Sequence, residues 1–516
     1  MSDILIGQSY YLRFDPKLWA AMQPYPPLGS LYAASLLRAG GYDIAFFDAM
    51  LSESEQAWDE ALRQASPRIA VIYEDNFNYL SKMCLLRMRQ AAFAMIEMAK
   101  RRGCTVVLCG ADASDHAGAY LAHGADFVLQ GEGEYTLREL AACLLGRADT
   151  PVAGIAGLIY WPPGANAPLH TPRRQAIRNL DTLPFPAWDL ADIARYRDIW
   201  LRRHGCFSLN MVTSRGCPYH CNWCAKPIWG QRYNNRSPEN VAAEMKWLQQ
   251  SYNPDHIWFM DDIFGLKPGW LAAFAAALNR LDCGIPFKCL SRADLLLRAG
   301  DIEWLRRAGC RLVWVGAESG SQKVLDAMEK GIRVDQIHAA AELLHRAGIR
   351  VGFFLQFGYP GEARCDIEQT LQLVRDCRPD EIGMSVSYPM PGTRFYEDVR
   401  RQLGARQNWQ DSSDMAMLYR GPFNTSFYRQ LHVVLHHEFR ARRYSTELKS
   451  LLRHPKRLRP AHLRRLAVMV FYSVMLPFER LRLRLLERQP RQVIEPPPMP
   501  LTNEQAAVPS PQPEAP

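Results

Sequence analysis

The residues whose types and spacing could do chemistry are gathered in Ser214-Arg215-Gly216-Cys217-Pro218-Tyr219-His220-Cys221-Asn222-Trp223-Cys224. Cys217, Cys221 and Cys224 are separated by three and then two intervening residues, and on a short irregular loop each sulfur can turn inward toward one metal cluster. A cubane iron–sulfur cluster normally takes four cysteines. Three leave one iron without a protein ligand, open to a small molecule, which is a catalytic arrangement. A structural zinc site needs four closed ligands. His220 could be the fourth, but it lies between two of the others without the usual ligand spacing. Chance clustering in a chain with 13 cysteines is the remaining reading.

The loop closely resembles that of the radical S-adenosylmethionine (SAM) enzymes, including the aromatic Trp223 before the last cysteine. The resemblance implies that Cys217, Cys221 and Cys224 hold a 4Fe–4S cluster and that the open iron takes the amino and carboxylate groups of SAM. The cluster's electron would then cleave SAM to a 5′-deoxyadenosyl radical.

The elements that must position this loop follow from the hydrophobic pattern. From Phe207, strand-like runs alternate with helical ones: Phe207–Thr213, His256–Met260, Phe287–Leu290, Leu312–Val315, Val351–Phe357 and Ile382–Ser387. Six βα repeats are too few for a closed eight-stranded barrel but suit the open partial (β/α)6 barrel of the same family, with a lateral mouth for substrate. Functional residues of parallel barrels sit at strand carboxyl ends. The first strand enters the cysteine loop, and the second ends in Asp261-Asp262, where the family grips the SAM amino group, though a helix cap would also explain them. The third ends in Ser291-Arg292, whose guanidinium can pair with the SAM carboxylate. The fourth ends in Gly316-Ala317-Glu318-Ser319, with Glu318 able to accept from ribose hydroxyls or the amino group. The fifth, ending in Gln356-Phe357-Gly358-Tyr359-Pro360-Gly361-Glu362, and the sixth, leading to Tyr388-Pro389-Met390-Pro391-Gly392-Thr393, resemble adenine-supporting turns.

Residues 1–150 alternate buried strands with amphipathic helices, which implies a doubly wound parallel sheet with ligands beyond the strand carboxyl ends. Polar and glycine residues gather there: Asp48, Glu74-Asp75-Asn76, Gly110-Ala111-Asp112 and Gly131-Glu132-Gly133-Glu134. Turns alone would explain them. Together with Pro26-Pro27-Leu28-Gly29 ahead of a helix, however, they resemble the cobalamin-binding domain that precedes many radical SAM cores. That resemblance makes Pro27, Leu28, Gly29, Glu74, Asp75, Gly110, Gly131 and Glu132 candidate cobalamin contacts. The Asp-x-His-x-x-Gly loop of many cobalamin domains is missing, and His116, near a strand-end loop, reads as a solvated residue. The fold expected is therefore α/β: an N-terminal sheet of cobalamin-binding type (1–150), a proline-rich linker (151–204) packing across both domains, the radical SAM partial barrel (205–395), a helical basic region (396–491) and a Pro-rich disordered tail (492–516).

Composition excludes other classes. With 48% hydrophobic and 22% charged residues the chain reads as a soluble globular protein. Its longest apolar run, Leu466–Phe478, is too short to span a membrane. Cysteines without a paired framework, and no apparent signal peptide, suit a reducing cytoplasm. The net charge of +9 is uneven: residues 440–491 carry 15 Lys/Arg against 3 Asp/Glu, and residues 1–439 sum to zero. Basic residues flanking an apolar stretch suit a helix on an anionic membrane surface, a solvated helical pair or, without any accompanying motif, nucleic acid; no specific nucleic-acid partner is expected. His432 and His436, one helical turn apart, read as packed rather than metal-binding.

The arrangement resembles the class containing the anaerobic magnesium-protoporphyrin monomethyl ester cyclase and cobalamin-dependent methyltransferases. It implies cofactors of a 4Fe–4S cluster, SAM and cobalamin, a small-molecule or lipid-like substrate, and a flavodoxin or ferredoxin as electron donor. Two rivals remain: the same enzyme type with a vestigial cobalamin domain, and an iron–sulfur electron carrier without SAM turnover.

Overall fold

A computed structural model describes residues 2–83, 85–224, 228–404, 407–453 and 460–489. The first sheet is built from β1 (Ile4–Gly7), β2 (Ile44–Phe46), β3 (Ile69–Tyr73), β4 (Thr105–Cys109), β5 (Phe127–Leu129), β6 (Leu158–Tyr160) and β7 (Leu169–His170), in the order β2-β1-β3-β4-β5-β6-β7. The first five strands are mutually parallel, and β6 and β7 are antiparallel additions at one edge. The pleat divides the apolar runs between two cores. Leu5, Ala70, Ile72, Val106, Leu108 and Val128 face one side; Ile4, Ile6, Val71, Tyr73, Val107 and Leu129 face the other. Strands buried on both faces must be continuously apolar, which is why these short runs were legible.

Read from sequence as a linker, residues 151–204 contribute β6 and β7 to this sheet. Their remaining part straps the domains together. Ser35 donates to the Phe185 carbonyl at 2.6 Å and Trp188 Nε1 to Glu244 at 3.2 Å, so consecutive segments of the strap grip the first domain and then the barrel.

The second sheet comprises β8 (Ser208–Met211), β11 (His256–Phe259), β12 (Phe287–Ser291), β13 (Cys310–Glu318), β14 (Arg350–Phe357) and β15 (Glu381–Val386), all parallel and in simple sequential order. This is the curled, open half-barrel expected, with helices such as Pro238–Tyr252, Val334–Arg346 and Arg364–Cys377 on its outside. Between β8 and β11, β9 (Ser214–Arg215) pairs antiparallel with β10 (Asn234–Asn235), forming the neck of the cysteine loop. Two long helices, Thr425–Arg453 and Pro460–Glu487, form a C-terminal hairpin.

Candidate active site at the junction of the two sheets

The cysteine loop is shaped by its neighbours. Gly216 has φ +81°, and a Cβ there would lie 2.3 Å from the Arg232 carbonyl oxygen, so only glycine fits where the chain leaves the neck. Asn222, between the second and third cysteines, uses all four of its polar groups. Its N–H donates to Met328 O (3.1 Å) and its Nδ2 to Ala327 O (2.8 Å), while its carbonyl accepts from Phe395 N (3.0 Å) and its Oδ1 from the Tyr359 hydroxyl (2.9 Å). The loop is thereby tied to the segments after β13, β14 and β15.

Cys217, Cys221 and Cys224 are half-buried and none is in a disulfide. Among the described residues no three His, Cys, Asp or Glu side chains converge tightly enough to share a single metal ion. Around the three cysteines the charge is positive: Arg292 Nη1 lies 3.9 Å from Cys221 Sγ, with its guanidinium 3.6 Å from the Tyr219 ring centre. Buried Lys330 lies 2.8 Å from Glu318 Oε1. Burial works to lower the Lys330 pKa, but Glu318 and Cys221 outweigh it and raise it. Cations beside thiols favour the thiolate, the form that binds iron. The donor set therefore fits an iron–sulfur cluster.

The predicted SAM residues take more specific places than their strand ends implied. Asp261 Oδ1 accepts from Thr213 N (2.9 Å), Thr213 Oγ1 (2.8 Å) and Ser214 Oγ (2.5 Å), bracing the entry to the cysteine loop, while Oδ2 is buried without a partner. Burial lifts its pKa to about 6. Asp262 pairs with Lys82 of the first domain at 2.6 Å. Arg292 is anchored by Asp294 at 3.0 Å and the Lys330 carbonyl at 2.9 Å, leaving Nη1 toward Cys221. Ser291, at the end of β12, is buried beside it. Glu318 sits at φ +59°, a conformation a non-glycine residue holds only when its surroundings impose it. Ser319 hydrogen-bonds Thr370 Oγ1 (3.1 Å) and Gln356 donates to Ser387 (3.0 Å), both within the barrel wall. Trp223 is half-buried with its Nε1 unpartnered and Lys330 5.9 Å from its ring.

In the first domain, Glu132 and Glu134 face the barrel. Arg215, 3% exposed in its side chain, donates to Glu132 Oε1 at 3.1 Å and Glu134 Oε1 at 2.7 Å. Gly131 turns the chain into this pair at φ +82°. The Gly131–Glu134 loop is thus a clamp on the residue two before Cys217. Glu74 accepts from Ser9 Oγ at 2.6 Å, and a Cβ on Gly110 would strike its side chain at 2.8 Å, so that glycine makes room for Glu74. Burial raises the Glu74 pKa to about 7 and the Asp75 pKa to about 6. Asp75 Oδ1 accepts from Gly29 N (3.1 Å), at the start of the helix that follows Pro27 and includes buried Leu28. At the ends of β1 and β3, Gln8 Nε2, Tyr10 OH, Asn76 Oδ1 and Ser81 Oγ are buried without a hydrogen-bond partner. Such groups call for one, so the segments after β1 and β3 fit a ligand that brings polar groups.

A cleft between the sheets is lined by Lys82, Asp115 and His116 on one side and Tyr388, Met390 and Asn408 on the other. Asp115 is raised to about 7 by burial and Asp112; His116, 3.7 Å from Asp112, is lowered chiefly by burial. Tyr79 projects between the domains. Burial first, then the charges of Cys224, Glu318, Tyr388 and Asp262, push its hydroxyl above the usual range, although half of the side chain is open to the space it faces. Sequence reasoning assigned no role to Lys330, Asn222, Tyr79 or Arg215. Only Arg215 carried a signal, as a charged residue beside the first cysteine.

Residues 211–374 match the radical SAM superfamily. The chain carries a radical SAM domain. An uncharacterized methyltransferase of Pyrococcus horikoshii is 29% identical over 287 residues, 55% of this chain and 60% of that protein. The anaerobic magnesium-protoporphyrin IX monomethyl ester cyclase of Rubrivivax gelatinosus is 25% identical over 388 residues, 74% of this chain and 66% of that one. The matches therefore span somewhat under two thirds of these relatives' own lengths. Among solved structures, the radical SAM methyltransferase TsrM of Kitasatospora setae, with cobalamin and a 4Fe–4S cluster bound, has a TM-score of 0.63 at 19% identity, covering 79% of this chain and 76% of TsrM. The likeness extends the shared fold beyond the radical SAM domain into the N-terminal sheet.

Proposed function

We propose that the protein is a cobalamin-dependent radical SAM enzyme that modifies an unactivated carbon of a small-molecule or lipid-like substrate, by methyl transfer or by cyclisation or oxidation, with a flavodoxin or ferredoxin as electron donor. The observation that carries this reading is a juxtaposition. The three-cysteine loop of the barrel and the strand-end loops of the first sheet, with their unpartnered buried atoms, meet across the Arg215 clamp.

When bound, the cluster supplies the electron that cleaves SAM, and cobalamin a transferable methyl group or a redox partner. The chain's own residues do the rest. Arg292 and Lys330 hold positive charge beside the thiolates. The Arg292 Nη1 side offers donors to a carboxylate, and Glu318 offers acceptors to an amino group or ribose hydroxyls. Gln8, Tyr10, Asn76 and Ser81 would offer polar partners to the corrin periphery, and the cleft lined by Lys82, Asp115, His116, Tyr388 and Met390 would receive the substrate.

Anaerobic purification with cobalamin supplied, metal analysis and a SAM-cleavage assay test the proposal. About four irons, one cobalt and 5′-deoxyadenosine are expected, and Cys221→Ala should lose cluster and cleavage together while keeping the fold. Iron and 5′-deoxyadenosine without cobalt would reduce the first domain to a scaffold. Cleavage surviving Cys221→Ala would overturn the ligand assignment.

A further inference from the structure

The outer side of the last helix has no part in this site, yet it is the most exposed apolar surface described. In Pro460–Glu487, the residues Val470, Val474, Phe478, Leu481 and Leu485 follow at spacings of four, four, three and four. On a helix of 3.6 residues per turn those spacings line one side, with Phe471 next to them. All six side chains are more than half exposed. The opposite side is already occupied. Leu483 is buried and Leu476 and Leu486 half-buried, and the contact with Thr425–Arg453 is fastened by Arg480–Glu438 (2.7 Å), by Arg440 on the Tyr472 hydroxyl (3.0 Å) and by the stacked rings of His437 and Tyr472 (4.4 Å). The helix thus has two apolar faces, one used inside the molecule and one open. A continuous open face of this kind marks a contact surface.

Charge selects the partner. At about 100° per residue, Arg482 falls on one flank of the stripe and Arg480 and Arg484 on the other, with Arg488 at its end. The segment 440–491 carries 15 Lys/Arg against 3 Asp/Glu, while residues 1–439 sum to zero. A second copy of the chain would bring two such arginine rows together, like against like. An anionic lipid surface instead receives the stripe at the headgroup–acyl boundary and the arginines among the headgroups, their aliphatic stems lying along the apolar face. Among the described residues no helix is long and apolar enough to cross a membrane, so this helix would meet a bilayer lying along its surface. We propose that the C-terminal hairpin docks the protein on an anionic membrane through the stripe Val470–Leu485 and its flanking arginines. The proposal stands independently of the reaction.

The test is co-sedimentation of the full-length protein with vesicles of phosphatidylcholine alone or mixed with phosphatidylglycerol, at low and high salt. The wild type is compared with Phe478→Ser/Leu481→Ser and with Arg482→Gln/Arg484→Gln. Binding is expected on the anionic vesicles, at least tenfold weaker on neutral ones, and weakened by salt. The arginine variant should lose about fivefold per residue, and the stripe variant tenfold or more. Because the substituted side chains are exposed, thermal midpoints should not move, and light scattering should give the wild type and stripe variant the same mass. Equal binding to neutral vesicles, or full binding by the stripe variant, would overturn the proposal. So would a dimer that the stripe variant converts to monomer, which would assign the face to a second copy.

Discussion

Replacing Arg215 by methionine removes a cation buried between two carboxylates of the other domain. Burial works to lower the Arg215 pKa, but Glu134 and Glu132 outweigh it and raise it, so the guanidinium stays charged in the fold. Its side chain and those of Glu132 and Glu134 are all below 5% exposed, so water cannot replace it. Breaking a buried pair by removing one partner costs about 3–5 kcal/mol. Two facts adjust that figure in opposite directions: two carboxylates lose their partner rather than one, and Glu132, whose pKa burial already raises, can take up a proton. About 4 kcal/mol is the resulting expectation, a large share of a total stability on the order of 5–15 kcal/mol. In thermal unfolding this corresponds to a drop on the order of 10 °C. A triple variant, Arg215→Met with Glu132→Gln and Glu134→Gln, leaves no uncompensated charge and should recover more than half of the loss. Because the clamp holds the residue two before Cys217, iron retention should fall in Arg215→Met more than in a surface variant of equal stability. A loss below about 1 kcal/mol, the range of an exposed pair, or a triple variant no more stable than the single one, would refute the clamp.

The other expectations are shorter. Gly216→Ala forces a left-handed backbone and a clash with the Arg232 carbonyl, so it should cost roughly 1–3 kcal/mol and reduce iron content measured after reconstitution. Lys330→Met leaves Glu318 buried alone; stability should fall by about 3–5 kcal/mol and return with an added Glu318→Gln, while SAM cleavage stays low in both. For Glu74, whose pKa rises to about 7 on folding, the unfolded chain releases its proton first. Its contribution therefore falls as pH rises from the ordinary carboxylate range to about 7, and Glu74→Gln should flatten that slope in denaturant titrations. Glu438, held down to about 2 by Arg375 and Arg480 against the opposing effect of burial, acts in the opposite sense. Its contribution is present above the ordinary carboxylate range and lost as pH falls toward 2, so acid should release the C-terminal hairpin in hydrogen-exchange measurements, and Glu438→Gln should release it at neutral pH.

What was legible in the sequence was whatever local pattern dictates. Val106-Val107-Leu108 read as a strand because a parallel sheet covered on both faces needs continuous apolar runs; Phe353-Phe354-Leu355 read the same way, although Phe354 is exposed on the more open face and stacks on Trp314, and the helices between such runs showed their own period. The spacing of Cys217, Cys221 and Cys224 was legible because ligands that share one cluster, as proposed for these three, must be close in sequence when one short loop supplies them. The strand ends were found for the same reason, since in such sheets chemistry follows the last apolar residue. Residues 158–170 were not: β6 and β7 are short antiparallel strands added at one edge, whose pairing depends on β5 and on each other rather than on their own pattern.

Side-chain partners belong to the tertiary structure. Glu132 reads equally well as a cofactor contact or a turn residue until Arg215, 83 positions away, is brought to 3.1 Å. Lys330 and Glu318 form a buried pair only because the turn after β13 folds back beneath the cysteine loop, and Asn222 closes its four hydrogen bonds on three separate strand-end segments. Strand runs and the spacing of the three-cysteine loop are properties of a few consecutive residues, so the sequence alone determined them. The clamp, the charge beside the thiolates and the open face of the last helix depend on which surfaces meet and which are left uncovered, and that is decided only when the whole chain packs.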